Sequence, residues 1–238
     1  MPKLMGISFA DVTGYSDLAR QLAQHKSDGF KVVVTLNPEI WVRATRESEL
    51  GAHVAQAEWV VADGSGLRLA ARILGEPAPA KITGVDLVSH LLRVGGWKVM
   101  LIGAAPPVVA EAFRLLKDDY PNNQWLGFHH GYYGLSDRES VISKIVELAP
   151  DLVLVGMGSP KQDDLLATLR QRLKGGIGIG VGGCFDVFAG KFERAPRWIQ
   201  AIGMEWAYRV AQDPKRLTRL GFIPRFLFAV LKEKVARR

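Results

Sequence analysis

KVVVTLNP, residues 31–38, decides the fold class: a short β-branched and aliphatic run passes directly into an Asn-Pro pair. A near-continuous apolar run of this length is the pattern of a strand buried on both faces, as in a parallel sheet covered by helices. Asn37 is placed to cap the following helix. Pro38 is placed to open it, because the first helical turn does not use the N–H that proline lacks.

The same pattern recurs outward along the chain. Trp59–Ala62 is a second strand, ended by Asp63-Gly64 and followed by helical Leu67–Leu74. Thr83-Gly84 precedes a helix reaching about Val94. Trp97–Ile102 is a strand turning at Gly103, with a helix from about Pro107 to Asp119. Asn123–Phe128, Asp151–Val155 and Ile177–Val181 complete the set. Strands regularly interleaved with helices predict an α/β, Rossmann-like fold: a mostly parallel sheet with flanking helices. Ligands of such sheets sit beyond the carboxyl ends of the strands, so Asn37, Asp63, Gly103, Gly156 and Gly182 are expected along one rim.

After Gly190 the pattern changes. Pro196–Ala211 reads as one amphipathic helix, Asp213-Pro214 restarts a short one, and Pro224 opens a last helix to about Val235. The expected division is an α/β catalytic domain over 1–194 and a basic amphipathic helical appendage over 195–238. The charge follows that division. The whole chain of 238 residues carries a formal +7, and Lys191–Arg238 alone holds twelve Lys/Arg against four acids. A basic block of this kind points to an anionic partner, and its interleaved aromatic and aliphatic residues fit an interfacial helix on an anionic membrane surface. The alternative is a solvated basic face.

The single cysteine, Cys184, excludes an internal disulfide framework and fits a reducing compartment. The start, Met1-Pro-Lys, lacks the charge and apolar run of a signal peptide, and no apolar run approaches a membrane span. A cytoplasmic protein, peripheral on the inner face of the plasma membrane, is therefore expected. The apolar tail also allows a homo-oligomer in solution.

Several constellations carry chemistry. Asp63, a carboxylate just beyond a buried strand, reads either as a general base or as a cap of the next helix. Thr35 and Asn37 either orient substrate hydroxyls or close the strand end and cap the helix. Gly178-Ile-Gly-Val-Gly-Gly183 formally fits G-x-G-x-x-G, yet its glycines overlap the strand and do not follow it, so the dinucleotide reading is weak. The Gly182-Gly183 turn reads as close backbone approach to a diphosphate or as tight sheet–helix packing. Asp186, just beyond, has the acceptors for a nucleobase or ribose. Gly156-Met-Gly-Ser-Pro-Lys-Gln162 is another glycine-rich turn, where Lys161 or Gln162 reaches a sugar or phosphate. The five histidines show no metal-ligand spacing and there is no Asp-x-Asp pair, so neither metal nor cofactor is expected. Arg209, Arg216 and Arg219 of the tail have the guanidinium geometry that binds diphosphates.

The runs TLNPEIW (35–41), ADGSGL (62–67), ITGVDL (82–87), VGMGSPKQD (155–163), GVGGCFDVFAGKFERAP (180–196) and MEWAYRVAQDPKR (204–216) resemble the bacterial WecG/TagA/CpsF glycosyltransferases, in order and over nearly the whole chain. The resemblance implies an inverting, metal-independent transfer of a sugar, often N-acetylmannosamine, from a UDP-sugar donor to a polyprenyl-diphosphate-linked acceptor. Such enzymes contribute to teichoic acid, enterobacterial common antigen or capsule assembly. It further implies Asp63 as the base, and Thr35, Asn37 and Gln162 beside the donor sugar. Gly182, Gly183 and Asp186 would hold the nucleotide, with Arg209, Arg216 and Arg219 over the leaving diphosphate; Gly103, on the same rim, is a further substrate-binding candidate. Nucleic acid is not an expected partner. The donor stays open, UDP-glucose being one alternative. A nicotinamide-dependent oxidoreductase and a basic membrane-binding module are the remote ones.

Overall fold

A computed structural model describes residues 1–201, 203–213, 217 and 220–237. A small antiparallel hairpin, β1 (Lys3–Leu4) and β2 (Ile7–Ser8), leads into α1 (Tyr15–His25). Six parallel strands follow: β3 (Lys31–Leu36), β4 (Trp59–Ala62), β5 (Lys98–Gly103), β6 (Gln124–His129), β7 (Leu152–Gly156) and β8 (Ile177–Gly180). They lie side by side in the order β4-β3-β8-β7-β5-β6. The α/β, Rossmann-like expectation holds, with strands within a residue of their predicted places.

Side-chain alternation puts β3, β4, β5 and β7 into two cores at once. Val32, Val34 and Leu36 of β3 enter one layer, and Val33 enters the other. The first layer is covered by α2 (Pro38–Ala44), α3 (Ser48–Gln56), α4 (Gly66–Leu74), α7 (Leu135–Leu148) and α8 (Lys161–Arg172). The second is covered by α1, α5 (Gly84–Val94), α6 (Pro106–Asp119) and α9 (Cys184–Phe188). Chains leaving β3 and β7 therefore pass to one face, and those leaving β5 and β8 to the other. Where neighbouring connections diverge, a crevice opens at the carboxyl ends of the strands.

The glycines of β8 have a packing cause. A Cβ on Gly178 would lie 2.4 Å from Leu166 of α8, and one on Gly180 would lie 2.6 Å from the Gln162 amide. These two positions let α8 approach the sheet closely, which accounts for that part of the G-x-G-x-x-G pattern without a dinucleotide.

Beyond residue 194 the single helix expected over Pro196–Ala211 is broken in two, α10 (Arg197–Ala201) and α11 (Glu205–Gln212). The break is at Gly203, whose φ of +79° is a left-handed conformation that ends a helix. The short helix expected at Asp213-Pro214 falls largely outside the described residues. The last helix, α12 (Phe222–Ala236), runs slightly beyond its expected limits. It packs on α2 and α4 through buried Phe226 and Val230, with the Phe226 and Trp41 rings edge-to-face at 5.5 Å.

Candidate active site

Each rim residue is delivered by a strand end. Asp63 follows β4, and its backbone N–H donates to Leu36 of the neighbouring β3 at 2.7 Å. It does not cap α4. That role falls to Ser65, and among the described residues none donates a hydrogen bond to the Asp63 carboxylate. Burial raises the Asp63 pKa from 3.8 to about 6; Arg209 opposes this, Glu205 adds to it, and Lys81 and Asp86 contribute smaller opposing effects. The residue keeps partial exposure. A carboxylate poised near neutrality at an open strand end has the properties of a general base.

Thr35 and Asn37 stand at the adjacent strand end, each with a structural bond. The Thr35 hydroxyl donates to the Gly180 carbonyl at 2.9 Å, and Asn37 Oδ1 accepts from the Ile40 N–H at 2.9 Å as the cap of α2. Gln162, only 3% exposed, accepts through Oε1 from the Gly182 N–H at 3.0 Å. Thr35 and Gln162 thus brace β8 and the turn after it.

On the other side of the crevice the backbone is bare. Gly103 has φ +124°, and a Cβ there would lie 2.5 Å from Gly156. A Cβ on Gly156 would meet Phe185 at 2.6 Å and the Gly182 carbonyl at 2.9 Å. Gly182, at φ +51°, has nothing within 4 Å of its Cβ position. Gly103 and Gly156 are therefore required by packing, whereas Gly182 borders open space. Gly183 is the N-cap of α9. Asp186 on α9 accepts from Lys191 Nζ at 2.9 Å and, through its carbonyl, from the Lys191 and Phe192 amides. Sequence reading missed Gly131, which packs against Gly103 and Met157; its only signal was a Gly between aromatic residues.

The segment carrying α10 and α11 comes down over this rim. Ser65 donates to the Gly203 carbonyl at 3.1 Å, and Lys81 donates to that of Gln200 at 3.3 Å. A Cβ on Gly203 would collide with Ser65, so the glycine permits the approach. The far end of α11 is pinned by a reciprocal pair, Glu193 N–H to Gln212 at 2.8 Å and Gln212 to the Glu193 carbonyl at 2.9 Å. Held at both ends, α11 presents Arg209 close enough for its charge to be felt at Asp63. Arg209 donates to Glu205 at 2.8 Å. Arg216 and Arg219 lie outside the described residues.

Asp86, Arg194, Lys81 and Glu205 also went unassigned in the sequence, although all but Lys81 fall inside quoted motifs. Arg194 forks onto Asp86, one bond measuring 2.9 Å, and Thr83 donates to the same carboxylate at 2.7 Å. Burial works against the Asp86 charge, but these donors outweigh it and hold its pKa below the usual value. The Cys184 thiol is buried beneath the site, and burial pushes its pKa up to about 12, so it is an inert thiol. Among the described residues no cluster of His, Cys, Asp and Glu has the arrangement of a metal site, and no helix is long and apolar enough to cross a membrane.

Comparison with known proteins yields one consistent pattern. Residues 2–238 match the Glycosyl transferase WecG/TagA/CpsF family. The chain is 35% identical over 236 residues to the N-acetylglucosaminyldiphosphoundecaprenol N-acetyl-beta-D-mannosaminyltransferase of Staphylococcus aureus strain MW2, covering 97% of this chain and 92% of that protein. It is 34% identical over 207 residues to the protein of the same name from Bacillus spizizenii, covering 86% and 80% of the two chains.

Proposed function

The chain belongs to the WecG/TagA/CpsF family of glycosyltransferases, and from that premise we propose that it transfers N-acetylmannosamine from UDP to a polyprenyl-diphosphate-linked N-acetylglucosamine. The observation that carries the catalytic reading is the Asp63 carboxylate, uncapped, raised toward neutrality and lying under Arg209 at the mouth of a parallel-sheet crevice.

The reaction is a single displacement. Asp63 takes the proton of the acceptor hydroxyl as its oxygen attacks C1 of the donor sugar. The C1–O bond to the diphosphate breaks, and UDP departs with the electron pair toward Arg209. Attack opposite the leaving group inverts the anomeric centre. Arg209, joined by Arg216 and Arg219, supplies the positive charge for the departing diphosphate, so no metal is required. Gly182, which borders open space, admits the nucleotide closely, with Gly183 and Asp186 beside it, while Gly103 and Gly156 allow the strand ends beneath it to pack. Asn37 lines the donor side, and Thr35 and Gln162 act by holding β8 and Gly182 in place.

Residues 195–238 work as the unit that closes this site and meets the cytoplasmic face of the membrane. On α12, Leu227, Phe228 and Leu231 are exposed beside Arg225, Lys232 and Lys234. Apolar burial combined with attraction of basic residues to anionic lipid supports peripheral binding. Self-association through the same surface in the absence of lipid is part of the proposal.

The test is a panel of UDP-sugars with a short-chain lipid diphosphate acceptor, run on wild type and Asp63→Asn. Turnover with UDP-N-acetylmannosamine, lost in the variant, is the expected result. Equal turnover by both proteins removes Asp63 as base, and preference for another UDP-sugar removes the donor.

A further inference from the structure

Charges of both signs meet beside the Asp63 turn. Asp63, Asp86 and Glu205 carry the negative ones, and Lys81, Arg194 and Arg209 the positive ones. Two of the positive groups have evident tasks in the fold: Arg194 is forked onto Asp86, and Lys81 holds the Gln200 carbonyl. Arg209 is paired within its own helix, to Glu205 one turn earlier, at 2.8 Å. The two side chains keep 28% and 16% of their exposure, so this pair is partly shielded from water and salt, unlike an ordinary helix-surface pair. Glu205 engages Arg209 through Nη2, and a guanidinium has five N–H donors in all. A second anion can therefore bind Arg209 while Glu205 remains attached, but the two anions repel each other.

We propose that Glu205 competes with the nucleotide diphosphate for the Arg209 guanidinium, so that UDP is released after transfer. The proposal rests on the reading of Arg209 as the partner of the leaving diphosphate. Glu205 is fixed on the same helix four residues away, so the competition is built into α11 and does not depend on the arrival of any other ligand.

UDP titration by calorimetry on wild type, Glu205→Gln, Glu205→Asp and Arg209→Gln, with donor kinetics alongside, tests this. Glu205→Gln is expected to bind UDP about three- to tenfold more tightly, with KM for the donor and kcat both falling as release slows. Glu205→Asp, which keeps the charge at a shorter reach, is expected to fall between the two, and it carries the test if Glu205→Gln folds poorly. A residue that merely props Arg209 in place would give the opposite sign. Equal or weaker UDP binding by the glutamate variants overturns the proposal. Wild-type UDP affinity in Arg209→Gln instead overturns the underlying reading of Arg209, a result separable from the first.

Discussion

Arg194, three residues before α10, grips Asp86 with both terminal nitrogens of its guanidinium. Asp86 lies in the first turn of α5, just past residues 81–83, which return beside the end of β4 after α4, the Ile82 N–H donating to the Ala62 carbonyl. The start of the segment carrying α10 and α11 is thereby tied to chain that lies beside the β4 end from which Asp63 emerges. Thr83 and Tyr15 also donate to this carboxylate, so the grip draws in α1 as well.

Arg194→Ala should leave Asp86 with a partly shielded charge and fewer donors. A loss of about 1–3 kcal/mol in unfolding free energy is expected, with faster proteolysis within 195–212. Arg194→Lys keeps the charge but not the fork and should recover only part of the loss. Urea melts and limited proteolysis give both readouts. Unchanged proteolysis in Arg194→Ala would show that the appendage is held without this pair.

Asp63 must be ionised to accept a proton, so kcat/KM should rise with pH through a midpoint near its folded pKa of about 6. Asp63→Asn should lower kcat by about 10²–10⁴-fold and abolish that limb, while UDP binding survives. A pH–rate profile of the free enzyme checks the midpoint.

The same shift has a stability consequence of definite sign. The unfolded chain releases this proton near 3.8 and the folded chain near 6, so the folded state binds more protons between those values. Stability therefore falls as pH rises through that window. Asp63→Asn, which cannot ionise, should escape the fall and exceed wild type by about 1–3 kcal/mol at pH 7, with little difference at pH 3. Chemical denaturation at the two pH values decides it.

The glycine cradle predicts a contrast between two alanine substitutions. Gly156→Ala drives a methyl into Phe185 and the Gly182 carbonyl and should cost about 1–3 kcal/mol, with loss of UDP binding. Gly182→Ala meets no atoms and suffers only left-handed strain, about 1 kcal/mol. Thermal melts with and without UDP separate the two effects. Equal destabilisation by both would contradict the packing account.

Two phenylalanines of α12, two residues apart, should behave oppositely. Phe226 is buried edge-on against Trp41, and its replacement by Ala should cost about 3–5 kcal/mol. Phe228 is 70% exposed, so Phe228→Ala should change stability by less than about 0.5 kcal/mol yet weaken binding to anionic vesicles. Vesicle sedimentation beside a melting curve reads out the difference.

By itself the sequence determined the strands, the parallel sheet and the identity of the rim. Those features depend on local patterns, such as the apolar run at 31–36 and the Asp63-Gly64 turn, which are complete within a few residues. It also marked Arg209, although only as one arginine in a basic tail. Tertiary structure alone decided what those groups face. Arg194 reaches Asp86 across 108 positions of chain, and no periodicity records such a pair. Gln162 meets the Gly182 N–H and Thr35 the Gly180 carbonyl because α8 and β3 flank β8. The single helix expected at 196–211 breaks at Gly203 because that turn must sit against Ser65, a contact set by the docking of the appendage. The raised Asp63 pKa, which a lone Asp after a strand does not predict, likewise comes from burial on folding, which outweighs the opposing charge of Arg209 on α11.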